Sequence, residues 1–271
     1  MCVRTARLVF WCFLAALPFP AGAIELLRPV APWVLNYADA QCVASRDYAT
    51  AGGPLTLAIR PAPNGMTYEI FAIRKSPAPM FAEELQGTVD FGSGSIKSWL
   101  LHYRIPTNKL EAFKFRIQAL EMAQARNATA VTLHINGGSE FSFSLEAMPD
   151  LLKGLDACTA DLKSYWNMDG SEVSSIAVAA KGDIRSIFTA DDYPDEALSR
   201  QQQGSAQFLL LIDEAGKVAA CHVTLPSGVP VLDAMGCVAI QERARFKPAR
   251  DRNGKPIRSS VTTPPITWRI M

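Results

Sequence analysis

The sequence predicts an α+β fold that is divided into two domains. In residues 33–145, short segments alternate apolar and polar side chains, and one amphipathic helix follows them. After residue 188 a second set of elements begins, in the order α-β-β-α-β. Small and polar residues dominate between the two sets. We therefore predict an N-terminal α+β domain at 24–168, a linker at 169–188 and a C-terminal domain at 189–271.

Turn sequences and side-chain periodicity define the elements of the N-terminal domain. Turns at 61–65 and 136–138 each separate two alternating segments. Apolar residues recur at helical spacing over 146–165, and a further helical stretch is predicted within 109–124. The predicted strands are residues 33–37, 41–46, 55–60, 66–73, 87–91, 98–105, 129–135 and 141–145.

The first 23 residues have the pattern of a secretory signal peptide. Arg4 and Arg7 precede an apolar run at 8–17, and Ala21-Gly22-Ala23 resembles a cleavage site. The apolar run is shorter than the roughly 20 residues that span a bilayer. We expect a cleaved signal and an exported protein; the alternative is an uncleaved anchor in the inner membrane.

Removal of this signal changes the charge and the cysteine count. The full chain has 27 basic and 26 acidic residues, a formal charge of +1. Loss of Arg4 and Arg7, with no acidic residue, leaves a charge of −1. A chain so close to neutral lacks the basic excess of a general nucleic-acid binder. Cys2 and Cys12 also leave with the signal.

The remaining cysteines favour two disulfides, because disulfides persist in an oxidising compartment. These cysteines are Cys42, Cys158, Cys221 and Cys237, and they allow three pairings. The alternative is four buried thiols.

Six short motifs in the last 80 residues occur in an order that resembles a known family. They are Tyr193-Pro194 with Ala197-Leu198, Gly204, Asp213-x-x-Gly216-Lys217-Val218, Ser227-Gly228-x-Pro230-x-Leu232-Asp233, Arg245-Phe246-Lys247-Pro248-Ala249, and Gly254-Lys255-Pro256. Together they are similar to the TonB C-terminal domain, over about residues 190–271. The resemblance implies a small antiparallel sheet with helices on one face. It also implies a bacterial periplasmic protein.

The resemblance implies a binding function in outer-membrane transport. TonB couples the inner-membrane proton gradient to outer-membrane receptors, and its C-terminal domain binds an extended receptor peptide as an added strand. The matching element here is the last strand, and its candidate partner-binding residues are Thr262, Ile266, Trp268 and Ile270. The alternative for Ile266, Trp268 and Ile270 is plain sheet packing, which strand alternation predicts for about half of them. The expected partner is an outer-membrane receptor or another envelope protein or peptide.

Two features differ from an energy-transducing TonB. Such a transducer has an inner-membrane helix that contacts a motor complex, and a long Pro-rich spacer. This chain has a cleavable signal pattern, and a linker of about 20 residues spans only about 60 Å when extended. We therefore expect peptide or protein binding more than motor association. The alternative is a periplasmic structural or adaptor protein without energy coupling, and a homodimer is left open.

The predicted elements favour one disulfide pairing of the three. Cys42 lies near the start of the N-terminal domain and Cys158 lies on its last helix. Cys221 lies on a predicted strand, and Cys237 lies on the next helix, on the face expected to cover the sheet. The pairing Cys42–Cys158 with Cys221–Cys237 keeps each bond within one domain, and it is our first choice.

A basic cluster lies between residues 241 and 260, where only Glu242 and Asp251 oppose it. The cluster could contact an anionic surface such as peptidoglycan or lipid headgroups. The alternative is a solvated helix end and turn. This predicted basic patch comprises Arg243, Arg245, Lys247, Arg250, Arg252, Lys255 and Arg258.

No motif for catalysis, a metal or a cofactor is found in the sequence. His102, His134 and His222 have no partner at a catalytic or metal-binding spacing. The Gly-Ser-Gly-Ser run at 92–95 does not match the Gly-x-Ser-x-Gly pattern of hydrolases. We expect no enzyme and no cofactor; a hydrolase of unrecognised type in the N-terminal domain is the weaker alternative.

Overall fold

The computed structural model describes residues 25–76, 82–105, 108–168 and 176–270. Within these ranges the chain is mainly β, with a few helices. The predicted signal peptide lies outside the described residues, as do residues 169–175 of the predicted linker.

Ten strands of the N-terminal domain form one sheet. They are β1 (Leu26–Leu27), β2 (Val34–Ala38), β3 (Gln41–Thr50), β4 (Gly53–Pro61), β5 (Thr67–Lys75), β6 (Ala82–Asp90), β7 (Ser95–Ile105), β8 (Leu110–Gln118), β9 (Ala130–Ile135) and β10 (Glu140–Ser144). The order across the sheet is β1-β10-β9-β6-β7-β8-β5-β4-β3-β2. The pairs are antiparallel, except that β1 is parallel to β10.

The helical stretch predicted within residues 109–124 is present but short, and strand β8 before it was not predicted. β8 occupies the first part, and helix α1 covers only Ala119–Met122. In β8, Phe113, Phe115 and Ile117 are buried, and they alternate with the more exposed Lys114 and Arg116. This period of two fits a strand, and β8 gains backbone partners on both sides, from β5 and β7.

Helix α2 (Met148–Tyr165) covers one face of the sheet. Its Leu155 and Leu162 share one core with strand residues such as Leu57 and Phe115. The disulfide between Cys42 of β3 and Cys158 of α2 joins the same two layers. The opposite face of the sheet carries a row of charged side chains, described below.

The C-terminal domain is a small antiparallel sheet whose last strand is split. Two short strands, β15 (Ser259–Thr262) and β16 (Ile266–Trp268), both pair with the central strand β11 (Gly204–Ile212), and β12 (Val218–Leu225) pairs with its other edge. The exposed Pro264-Pro265 lies between β15 and β16, and proline has no N–H for a strand ladder. The elements are α3 (Asp195–Ser199), β11 (Gly204–Ile212), β12 (Val218–Leu225), α4 (Pro230–Arg243), β13 (Ala249–Arg250), β14 (Pro256–Ile257), β15 (Ser259–Thr262) and β16 (Ile266–Trp268).

The two faces of this small sheet are covered by different partners. Phe208 and Leu210 of β11 pack with Ile240 of α4, and the disulfide between Cys221 and Cys237 joins β12 to α4. Leu211 points to the other face, where it joins the core cluster of the N-terminal domain. The resemblance implied helices on one face; the N-terminal domain covers the second face.

Residues 176–188, which fall within the predicted linker, lie along the C-terminal domain. Val178 bridges to Arg250, and Lys181 bridges to Lys247, in antiparallel geometry. Ile184 is buried in the core that α4 covers. These residues therefore pack as part of the C-terminal domain.

Candidate binding site

A groove of about 690 Å³ runs beside the last strand of the C-terminal domain. Residues 264–270, which include β16, form one side, and residues 184–198 contribute the other. Most of the lining side chains are apolar, and the charged ones are Arg185 and Arg269.

Aromatic packing fixes the shape of this groove. Trp268 is buried, and the rings of Phe188 and Tyr193 meet its indole edge-on, with centroids 5.7 and 5.5 Å away. The Tyr193 hydroxyl donates a hydrogen bond to the carbonyl of Gln202. Edge-on aromatic pairs and a bonded hydroxyl hold these rings in place, so the groove has a preformed wall.

The outer edge of β15 and β16 pairs with no other strand in the described ranges. Backbone N–H and C=O groups on such an edge are available to an added strand. Thr263 follows β15, at the break between β15 and β16, and it is bonded to β11. Its N–H donates to the Phe208 carbonyl, and its hydroxyl accepts a hydrogen bond from the Phe208 N–H. The Pro264-Pro265 break therefore leaves β16 in register with β11.

The predicted partner-binding residues do not all lie in one place. Ile266, Trp268 and Ile270 line the groove, whereas Thr262 is exposed on β15 outside it. Trp268 is packed in the core, Ile266 is half-buried, and Ile270 is exposed. Ile266 and Ile270 therefore have the more accessible side chains.

Sequence reasoning missed the opposite wall of the groove. Phe188 comes from the end of the predicted linker, Tyr193 from the turn before helix α3, and Leu198 from α3, more than 60 residues before β16 in the chain. The sequence contained a partial signal, since Tyr193-Pro194 and Leu198 belong to the family-like motifs. Nothing in their spacing indicates that they face the last strand.

The residues of the predicted basic patch are divided among different contacts. Arg243 pairs with Asp192 at 2.5 Å. Arg258 pairs with Glu214 at 3.1 Å, and its guanidinium lies 4.0 Å from the Tyr165 ring centroid. The others, which are exposed, are Arg245, Lys247, Arg250, Arg252 and Lys255.

His102 has partners that the sequence did not indicate. Its Nδ1 lies 2.9 Å from Glu83, and its Nε2 lies 2.9 Å from the buried Glu111. Burial alone would raise the pKa of Glu111, but hydrogen bonds from Arg74, His102 and Arg104 hold it at about 2. The cluster is an ion-pair network packed on Phe113. Among the described residues, no group of three or more His, Cys, Asp or Glu could hold a metal ion.

The interface between the domains contains a second charged cluster. Strand register places Arg60, Glu69 and Arg116 in one row across β4, β5 and β8. Lys114 lies on the same face, two residues before Arg116. β12 lies against this row, and Cys221, His222 and Val223 line a cavity of about 100 Å³ together with the four charged residues.

His222 is the titratable group of β12 at this interface. Burial lowers its pKa to about 4, and Arg60 contributes to the shift. It makes a hydrogen bond to the Ala40 backbone, and its buried Nε2 has no partner among the described residues. His222 is therefore neutral at pH 7, and folding disfavours its protonation.

We expect the protein to lose stability as the pH falls through the range set by His222. The unfolded chain binds a proton near pH 6.5, whereas the folded chain binds it only near pH 4, so acid favours unfolding. The loss should reach roughly 2 kcal/mol at pH 4.5. Urea unfolding at pH 7 and pH 4.5 measures it.

His222→Gln should remove this part of the pH dependence, whereas His134→Gln, at a more exposed histidine, should retain it. An equal loss of stability in wild type and His222→Gln would contradict the assignment.

Comparison with known proteins identifies the C-terminal domain. Residues 189–270 match the family described as Gram-negative bacterial TonB protein C-terminal. Curated proteins and solved structures give no significant match. Within the described ranges, no helix combines the length and the apolar character needed to cross a membrane.

Proposed function

We propose, from the premise that residues 189–270 form a TonB C-terminal domain, that this protein binds an extended segment of an outer-membrane receptor or another envelope protein. The segment adds as a strand to the edge of β16. The observation that carries the proposal is the preformed groove beside an edge strand that has no other strand partner in the described ranges. The proposed role is binding in envelope transport, not catalysis.

Both parts of the groove are needed for such binding. β16 has three residues, so an added strand gains few main-chain hydrogen bonds from it. In strand addition, main-chain bonds supply affinity, and pockets for alternate side chains supply selectivity. The apolar surface of Phe188, Leu198 and Ile270 supplies such pockets here.

Charge on the groove wall should weaken partner binding without unfolding the domain. Leu198 and Ile270 are 40% and 38% exposed, so arginine at either position is tolerated by the fold. Leu198→Arg and Ile270→Arg should each weaken binding of a receptor-derived peptide at least roughly tenfold, because apolar partner surface would meet a charge. Isothermal titration calorimetry with the exported chain measures this.

The matched control is Val238→Arg, which changes an apolar residue of α4 that is 45% exposed and does not line the groove. Its affinity should equal that of wild type. Amide hydrogen exchange should show new protection at residues 266–270 on peptide addition. Protection on β12 instead, or unchanged affinity in both groove variants, would contradict strand addition at β16.

The same groove would also serve an adaptor protein without energy coupling. One observation favours this second candidate: the N-terminal domain is docked on the C-terminal sheet through Leu211 and β12. N-terminal sequencing of the protein from its native cell separates the two. A chain that begins at Ile24 indicates a periplasmic protein released from its signal, whereas a retained signal indicates a membrane anchor.

A further inference from the structure

The cavity between β12 and the N-terminal sheet has an excess of positive charge in its lining. Arg60, Lys114 and Arg116 are its cations, and Glu69 is its carboxylate. The three cations hold the pKa of Glu69 at about 2, although burial alone would raise it. Glu69 is therefore ionised, and it balances one of the three positive charges.

The contacts of these cations are unequal. Arg60 donates from Nε to Glu69 Oε2 at 2.7 Å and from a second nitrogen at 2.5 Å, and it also donates to Gln41. The contacts of Lys114 and Arg116 with the other oxygen, Oε1, are longer, at 3.4 and 3.6 Å. Strong hydrogen bonds to a carboxylate are about 2.7–2.9 Å long. Lys114 and Arg116 therefore retain donor capacity toward the cavity.

Two further carboxylates approach these cations from the neighbouring cleft. Glu84 of β6 and Asp233 of α4 line that cleft together with Lys114 and Arg116. In the described part of the chain, the ion pairs of Lys114 and Arg116 within 4 Å are both with Glu69. Burial raises the pKa of Glu84 and of Asp233, so both give up their protons less readily. Both carboxylates line the neighbouring cleft and not the cavity itself, whose own lining has three cations and one carboxylate.

His222 adds a directional group to the lining. Its hydrogen bond to the Ala40 backbone uses one ring nitrogen, and the buried Nε2 is left without a partner among the described residues. In a neutral imidazole, one nitrogen donates and the other accepts. With the proton on the nitrogen that faces Ala40, Nε2 accepts a hydrogen bond.

We propose that this cavity binds a small oxyanion that carries a hydroxyl group, such as hydrogenphosphate. Lys114 and Arg116 donate to its oxygens, and its hydroxyl donates to Nε2 of His222. The cavity volume of about 100 Å³ corresponds to roughly three waters at about 30 Å³ each, which suits an inorganic oxyanion and excludes a nucleotide. Because the cavity lies between β12 and the N-terminal sheet, the anion would hold the two domains together.

The test uses the exported chain in chloride buffers of constant ionic strength. Isothermal titration calorimetry with inorganic phosphate should give one site per chain, and phosphate should raise the melting temperature. Sulfate, which has no hydroxyl near pH 7, should bind at least roughly tenfold more weakly, a difference of about 1.4 kcal/mol. Glycerol phosphate tests whether the ligand is a phosphate ester instead of the free ion. It should not bind, because it is too large for the cavity.

Lys114→Met and His222→Gln should each abolish the calorimetric signal, and the exposed Lys97→Met on β7 should retain it. If a cavity variant does not fold, nitrogen NMR of His222 in the wild-type protein still tests the proposal, because bound phosphate should shift the resonance of Nε2. If the calorimetric titration of phosphate into the wild-type protein showed no binding heat, the proposal would be overturned. Equal binding of sulfate, or phosphate binding that Lys114→Met leaves unchanged, would also overturn it.

Discussion

Leu211→Asp is expected to lower the free energy of unfolding by more than about 4 kcal/mol. Leu211 is 0% exposed, and it belongs to the core cluster of the N-terminal domain although it lies on β11 of the C-terminal domain. The substitution removes a buried apolar side chain and places a carboxylate among the buried apolar residues of that cluster. Urea unfolding followed by tryptophan fluorescence measures the change.

The matched control for this prediction is Leu225→Asp. Leu225 lies on the adjacent strand β12 and is 58% exposed, so the same substitution there should change stability by about 0.5 kcal/mol or less. Because Leu211 links the two domains, its replacement should also separate their unfolding into two transitions. Equal stability of the two variants would show that the domains are not in contact at Leu211.

Removal of the disulfide between Cys42 and Cys158 is the second change with a large expected effect. The bond closes a loop with a sequence separation of 116 residues, whereas the bond between Cys221 and Cys237 spans 16. In the chain-entropy description, a longer loop restricts the unfolded chain more. The Cys42→Ala/Cys158→Ala variant should therefore lose about 5 kcal/mol, and the Cys221→Ala/Cys237→Ala variant about 3 kcal/mol.

Thermal and denaturant unfolding of the two double variants, under identical non-reducing conditions, measures the difference. The comparison is internal, because each variant removes one bond from the same chain. If the Cys221→Ala/Cys237→Ala variant were the less stable of the two, loop entropy would not account for the contribution of these bonds.

Local structure in the N-terminal domain was largely predictable. The segment predicted at 55–60 lies within β4, and the helix predicted at 146–165 is α2 apart from its first residues. These elements have a clear period of two or 3.6, so one face of each is specified by the sequence. β8 was missed because its short alternating run precedes a helical segment, and its pairing with β5 and β7 decides its conformation.

Contact between the domains was not predicted, although the sequence contained a signal for it. Residues 208–212 of β11 are five consecutive apolar residues, and all of them are buried. A strand with one solvated face alternates, whereas a continuous apolar run is typical of a strand buried on both faces. Helix α4 covers one face of β11. The apolar run indicates that the second face is also covered, but it does not identify which part of the chain covers it.

The sequence by itself determined most of the local elements, the motifs of the TonB-like domain and the preferred pairing of four cysteines. Only the tertiary structure decided which distant residues meet. The groove needs Phe188 opposite Ile270, and the interface cavity needs Lys114 near His222. Periodicity specifies which face of an element is buried, but it carries no information about which other face covers it. Strand order, register and domain docking supply that information, because they place side chains that are far apart in the chain within contact distance.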